Sequence, residues 1–240
     1  MSKNINLKNN ISSSYFNKIS YRKDKIKLKR IINEILFSID NERDVFHSFS
    51  KKFKFNFKYS EIKKFSKYQS IILIGMGGSA LGAKAIYTFC NNKIKKNLIF
   101  LDNLDQSKIK KIKKKINLNK SLFIIVSKSG KTLETLVNSN LLEDKISKKN
   151  TIIITDKKIN PLNIFAKNKK ILTIDHNNYI GGRYSVLSEV GMLPAYFMGL
   201  KINLFRKKLL SFLNSKEKNS LLNNVIKLSH IYKYKKINSI

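Results

Sequence analysis

At 240 residues, 42% of them apolar, the chain is long enough to bury one large domain, or one domain and part of another. A single cysteine, Cys90, excludes an intrachain disulfide and a cysteine-clustered metal site, and the three histidines (His47, His176, His230) lack ligand spacing. The formal charge of +34 would draw in acidic ligands, but the lysines run from Lys3 to Lys236 among an excess of Asn and Ile, a pattern of codon-driven drift on solvated surfaces rather than of one nucleic-acid face.

The first twenty residues are polar and read as a loose or docking arm. They hold no secretion signal, and no apolar run of about 18 residues occurs anywhere, so a cytoplasmic protein without a membrane span is expected. From Ile26 to about Phe53 apolar residues recur at helical spacing, predicting one or two amphipathic helices within an N-terminal region 1–65. From Ser70 short apolar runs alternate with amphipathic stretches, as βα units of a parallel sheet do. Strands are expected at 70–75, 97–101, 121–126, 151–155 and 171–174, with helices near 79–90, 105–116, 132–146 and 161–168. Pro161 sits where a first helical turn tolerates it. The fold class is therefore α/β, a three-layer arrangement around a five-stranded parallel sheet over 66–200. After Gly181-Gly182 the chain reads as helical, and the segment 201–240 carries apolar faces (Leu204, Leu209, Leu210, Phe212, Leu213, Leu221, Leu222, Ile226) that a further domain would cover.

Two strand ends carry chemistry. The first strand runs into Gly75-Met76-Gly77-Gly78-Ser79-Ala80-Leu81-Gly82, a turn that lets backbone N–H groups approach an anion at a helix N-terminus. Gly75-x-Gly77-x-x-Ala80, with Asp102 about twenty residues on after a second strand, also fits a dinucleotide site, so this turn alone leaves an NAD-dependent oxidoreductase open. The third strand ends in Ser127-Lys128-Ser129-Gly130-Lys131-Thr132-Leu133-Glu134-Thr135, where three hydroxyls, a glycine turn and a helix dipole converge as in a phosphate cradle. Neither turn is a Walker loop, since G-x-x-x-x-G-K-[ST] is absent from both.

Together the two turns resemble the sugar isomerase (SIS) domain, and Asn178 to Gly191, with Gly181-Gly182-Arg183-Tyr184-Ser185 at its centre, resembles a sequence signature of glucose-6-phosphate isomerases. The resemblance spans about 70–200. It implies that Gly78 and Ser79 contact substrate, that Ser127, Lys128, Ser129 and Thr132 line the phosphate site, and that Arg183 is the active-site arginine. It further implies interconversion of D-glucose 6-phosphate and D-fructose 6-phosphate through a cis-enediolate, with no metal or organic cofactor, in a homodimer when complete. The chain departs from the family in having Ser129-Gly130-Lys131 where many members carry Thr-Phe-Thr, which keeps a hydroxyl in third place. In the family the base glutamate, a ring-opening histidine and a late lysine come from segments well downstream, after a second SIS domain has begun, so the 240 residues are expected to be an N-terminal portion, inactive by themselves. Glu134 is expected to support the site as a helix residue rather than to act as the base. Two other readings stand beside this one: a non-catalytic SIS module that senses a sugar phosphate, and a basic nucleic-acid-binding protein, for which no helix-turn-helix or aromatic RNA-binding motif is present.

Overall fold

The computed structural model describes residues 18–207 and 216–235. Its centre is a five-stranded sheet of β1 (Ser70–Ile74), β2 (Asn97–Leu101), β3 (Ser121–Val126), β4 (Thr151–Thr155) and β5 (Leu172–Asp175). The strands lie in the order β2-β1-β3-β4-β5 with every pair parallel. The side-chain alternation of a strand sends Ile71, Leu73, Leu122, Ile124, Ile152 and Ile154 to one face, and Ile72, Ile74, Phe123, Ile125 and Ile153 to the other, all without solvent exposure. Both faces must then be covered. Helices α3 (Gly78–Phe89) and α7 (Glu189–Phe197) pack on the first, through Ala80, Ala83, Val190 and Leu193. Helices α4 (Gln106–Lys115) and α6 (Pro161–Lys169) pack on the second, through Ile109, Ile112, Leu162 and Ala166. The result is the expected three-layer α/β architecture. Fully burying each such aliphatic side chain is worth about 1.5–3 kcal/mol, so the sheet is the principal source of cohesion.

The other elements differ in detail from the sequence expectation. Helix α5 (Leu133–Asn140) stops well before 146: Leu142 turns fully into the core, and a 3-10 turn follows at Glu143–Lys145. The N-terminal region forms one long helix, α1 (Lys18–Ser38), that begins ahead of Ile26, followed by a 3-10 turn at Val45–Phe49 and the short α2 (Tyr59–Ile62). Past α7 come α8 (Ile202–Lys207) and α9 (Lys216–Lys235), and no sixth strand occurs among the described residues. Helix α9 packs against α1, where the Tyr21 hydroxyl donates to Asn223 Oδ1 at 3.0 Å. Leu222 and Ile226 are thereby buried within this chain rather than left for another domain, whereas Leu204 stays exposed. Leu209, Leu210, Phe212, Leu213 and the first 17 residues lie outside the described residues. No described helix is long and apolar enough to cross a membrane.

Candidate functional site

In a parallel sheet with this order, β1 connects outward to β2 and the chain then crosses back to β3, so the turns leaving β1 and β3 lie side by side at the carboxyl edge, where sheets with such a switch in strand order bind ligands. The β1 turn is tight. Gly77 takes φ 51°, in the left-handed region glycine tolerates, and caps α3 without a side-chain hydrogen bond. Gly75 lies so close to β3 that an added Cβ would stand 2.9 Å from the Val126 carbonyl oxygen.

The β3 turn brings two of the three predicted hydroxyls together. Ser127 is buried at the strand end, and its Oγ lies 2.9 Å from Thr132 Oγ1. Thr132 occupies the N-cap position of α5 yet makes no side-chain cap bond, so the threonine is not spent on the ordinary capping role. Ser129 is exposed, and its Oγ accepts from the Lys131 amide at 3.2 Å. Gly130 turns the loop with φ 62°.

Behind Gly130 stands a residue whose position in sequence gave no hint of this contact. Asn160 caps α6 by accepting from the Asn163 amide at 3.0 Å, while its Nδ2 donates to Thr155 Oγ1 and to the Asp156 and Lys158 carbonyls. A Cβ on Gly130 would overlap the Asn160 side chain. The Asn-Pro pair at a helix start was the available signal for the cap, but nothing local points from it to Gly130. Gly130→Ala is therefore expected to destabilise the chain by about 2 kcal/mol or more, combining left-handed strain in a residue with a Cβ and a disturbed cap, as read by urea unfolding. An unchanged midpoint would show that the turn relaxes freely.

The third predicted segment docks on the first. A Cβ on Gly78 would overlap the Gly182 backbone, and one on Gly82 would meet Val186 at 3.1 Å. Gly78 and Gly82 thus form one turn-spaced groove on α3 that receives the 3-10 turn Gly182–Leu187. The Ser185 hydroxyl pins the turn, lying 2.7 Å from the Gly182 carbonyl and 3.3 Å from that of Gly78. Arg183 rides on this turn, exposed, and no described residue engages its guanidinium. Gly78, Ser79 and the Arg183 turn are therefore neighbours.

Lys128 has a different environment from the hydroxyls. Its Nζ donates to the Asn178 and Ile180 carbonyls at 2.6 and 3.0 Å, tying the β3 turn to the segment leading into Gly181. Asn56, from the N-terminal region, fastens the same edge: its side chain donates to the Asp175 carbonyl and Asn177 Oδ1, and its amide to Glu189 Oε1 at 2.8 Å. This contact across most of the chain had no local sequence signal. His176 is buried beneath, and burial, with the Lys128 ammonium adding, holds its imidazole below its ordinary pKa and so neutral near pH 7. Burial, with the Glu189, Glu42 and Asp175 carboxylates adding, raises the Tyr179 phenol.

Asp102 does not stand free as a ribose ligand. It pairs with Lys84 at 2.8 Å and Lys108 at 3.4 Å, and although burial alone would raise it, these partners hold its carboxyl below the usual range. The dinucleotide reading thereby loses its acidic partner.

A family model described as phosphoglucose isomerase matches residues 19–212. The glucose-6-phosphate isomerase of Methanocaldococcus jannaschii is 39% identical over 146 residues, covering 59% of this chain and 36% of that protein. The one from Borreliella burgdorferi is 36% identical over 200 residues, covering 77% of this chain and 36% of that protein. Among solved structures, a hypothetical protein from Thermus thermophilus matches with a TM-score of 0.69 at 24% identity, over 88% of this chain and 54% of that one. A glucose-6-phosphate isomerase from Chlamydia trachomatis matches with a TM-score of 0.53 at 27% identity, over 62% of this chain and 30% of that one. The chain spans about a third of the length of the curated relatives it matches. Since the family model runs from α1 to beyond α8 and takes in every strand, the chain belongs to the phosphoglucose isomerase family.

Proposed function

We propose that this chain forms the phosphosugar-holding part of an enzyme that interconverts D-glucose 6-phosphate and D-fructose 6-phosphate. The observation that carries the reading is the Ser127–Thr132 hydroxyl pair at the start of α5, on a sheet edge where the turn bearing Arg183 is locked against Gly78. A phosphate in this cradle would accept hydrogen bonds from Ser127, Ser129, Thr132 and the first-turn amides of α5, with the helix dipole favouring its charge. Gly78 and Ser79 form the neighbouring wall. Lys128 serves the same site by holding the 178–180 segment, and through it the approach of the Arg183 turn.

The chemistry proposed is transfer of one proton from C2 to C1 for the aldose-to-ketose direction, with the ring-opened carbonyl at C1 becoming a hydroxyl and the C2 hydroxyl becoming a carbonyl. The intermediate is a cis-enediolate, and an arginine fork beside the forming oxyanion stabilises charge where it appears. The phosphate, distant from C1 and C2, contributes binding and orientation. This reading has the enzyme working in the cytoplasm as a homodimer, without metal or organic cofactor.

The test is titration calorimetry with fructose 6-phosphate. Ser127→Ala/Thr132→Ala is expected to weaken binding by about tenfold or more, because hydrogen bonds to a charged group are worth about 1.5–3 kcal/mol each. Equal affinity in the two proteins would remove the cradle from this position.

A further inference from the structure

Because all five strands are parallel, the segments that lead into them gather at one edge of the sheet, and the site described above lies at the other. The incoming segments carry lysines. Lys64 and Lys67 belong to the 3-10 turn ahead of β1, Lys148 and Lys149 to the turn ahead of β4, and Lys170 to the link between α6 and β5. These five line one cleft of about 540 Å³ whose wall contains no acidic residue. A second cleft of about 470 Å³ shares Lys67 and adds Lys120 from ahead of β3, again with no acid in its wall.

The high lysine content of the chain does not by itself produce this arrangement. With 49 lysines and arginines against 15 acidic residues, most lysines have no carboxylate partner; these six are distinguished by facing two adjoining clefts with no acidic residue in either wall. Like charges gathered around a concave surface raise the local potential and concentrate anions there. A single phosphate, carrying about two negative charges, would leave most of the cleft uncompensated. A row of phosphates matches the charge of two clefts that meet at Lys67. Nucleic acid is the poorer fit: the rings beneath the cleft, Phe65 and Tyr68, lie under the Lys64 and Lys67 ammonium groups at 5.2 and 5.4 Å and are themselves buried, leaving no face on which a base stacks.

We propose that the lysine cleft at the amino edge of the sheet binds an oligophosphate anion, separately from the phosphosugar cradle. The experiment is titration calorimetry of the 240-residue chain with sodium tripolyphosphate at physiological ionic strength. Five proteins are compared: the unaltered chain, Lys148→Glu/Lys149→Glu and Lys148→Gln/Lys149→Gln in the cleft, Lys27→Glu/Lys29→Glu as a charge change on α1 equal to that of the first cleft variant, and Ser127→Ala/Thr132→Ala in the cradle. One molecule is expected to bind per chain. The first cleft variant is expected to lose about tenfold or more in affinity, since losing phosphate contacts costs roughly a decade or more at moderate salt, while the α1 and cradle variants stay within about twofold. Lys148→Gln/Lys149→Gln, which removes charge without reversing it, gives an intermediate loss, and thermal melts of all variants verify the fold. Adenosine triphosphate distinguishes the source: affinity equal to tripolyphosphate means the phosphate chain alone is read, and tighter binding means a nucleotide is held by its phosphate tail. An equal loss in the α1 variant would overturn the proposal in favour of diffuse charge. So would loss in the cradle variant alone, or a single-stranded oligonucleotide that displaces tripolyphosphate at equal charge while Lys148→Glu/Lys149→Glu leaves tripolyphosphate binding unchanged.

Discussion

Arg183→Lys, made in a chimera in which this chain continues into the remaining part of a curated relative, is expected to lower kcat by about a hundredfold or more with a smaller change in KM. Lysine keeps the positive charge but loses the planar fork, and the difference matters most where the fork meets charge that exists only during proton transfer. The turn that carries Arg183 is held by backbone contact rather than by side-chain bonds of the arginine: Gly182 abuts Gly78, Ser185 bonds across the junction, and the guanidinium is left exposed. Steady-state kinetics in both directions decide the matter. An effect confined to KM would make Arg183 a substrate clamp.

The polypeptide 1–240 assayed alone is expected to turn over fructose 6-phosphate at least about 10²–10⁴ times more slowly than a complete relative, the factor a positioned general base contributes. The two carboxylates on the site's own helices are both poorly suited to that role. Glu189 is 1% exposed, and one of its oxygens holds the Asn56 amide at 2.8 Å, so its charge is committed to fastening the N-terminal region. Glu134 sits in the first turn of α5, beside the proposed phosphate and hence at the far end of the sugar from C1 and C2. A coupled assay that oxidises any glucose 6-phosphate formed, run on purified polypeptide beside the relative, gives the ratio. Turnover within about tenfold would place the base inside these residues, with Glu134 and Glu189 the first to substitute by glutamine.

The sheet was legible because its signal is local. Runs such as Ile71-Ile72-Leu73-Ile74 and Leu122 to Val126 are apolar at every position, short and mostly β-branched, as strands covered on both faces are, and four of the five strands begin at the expected residue. Helix ends were less so. Helix α1 begins earlier than its apolar period suggests, with Tyr21 near its start bonded to Asn223 of α9, and α5 ends early where Leu142 enters the core. In both cases a contact distant in sequence outweighs the local pattern.

The candidate site divides in the same way. The residue types in 127–132 pointed by themselves to a phosphate-holding turn, whereas the isomerase family was reached through the resemblance of 178–191 to its signature. Only the tertiary structure showed that Gly78 and Gly182 touch, that Asn160 packs where a Gly130 side chain would be, that Lys128 is engaged with two carbonyls, and that Asp102 is taken up by Lys84 and Lys108. The physical reason is the parallel order β2-β1-β3-β4-β5: it brings the exits of β1, β3 and β5 to one edge although they lie tens of residues apart, and no periodicity or motif encodes which backbone atoms then meet.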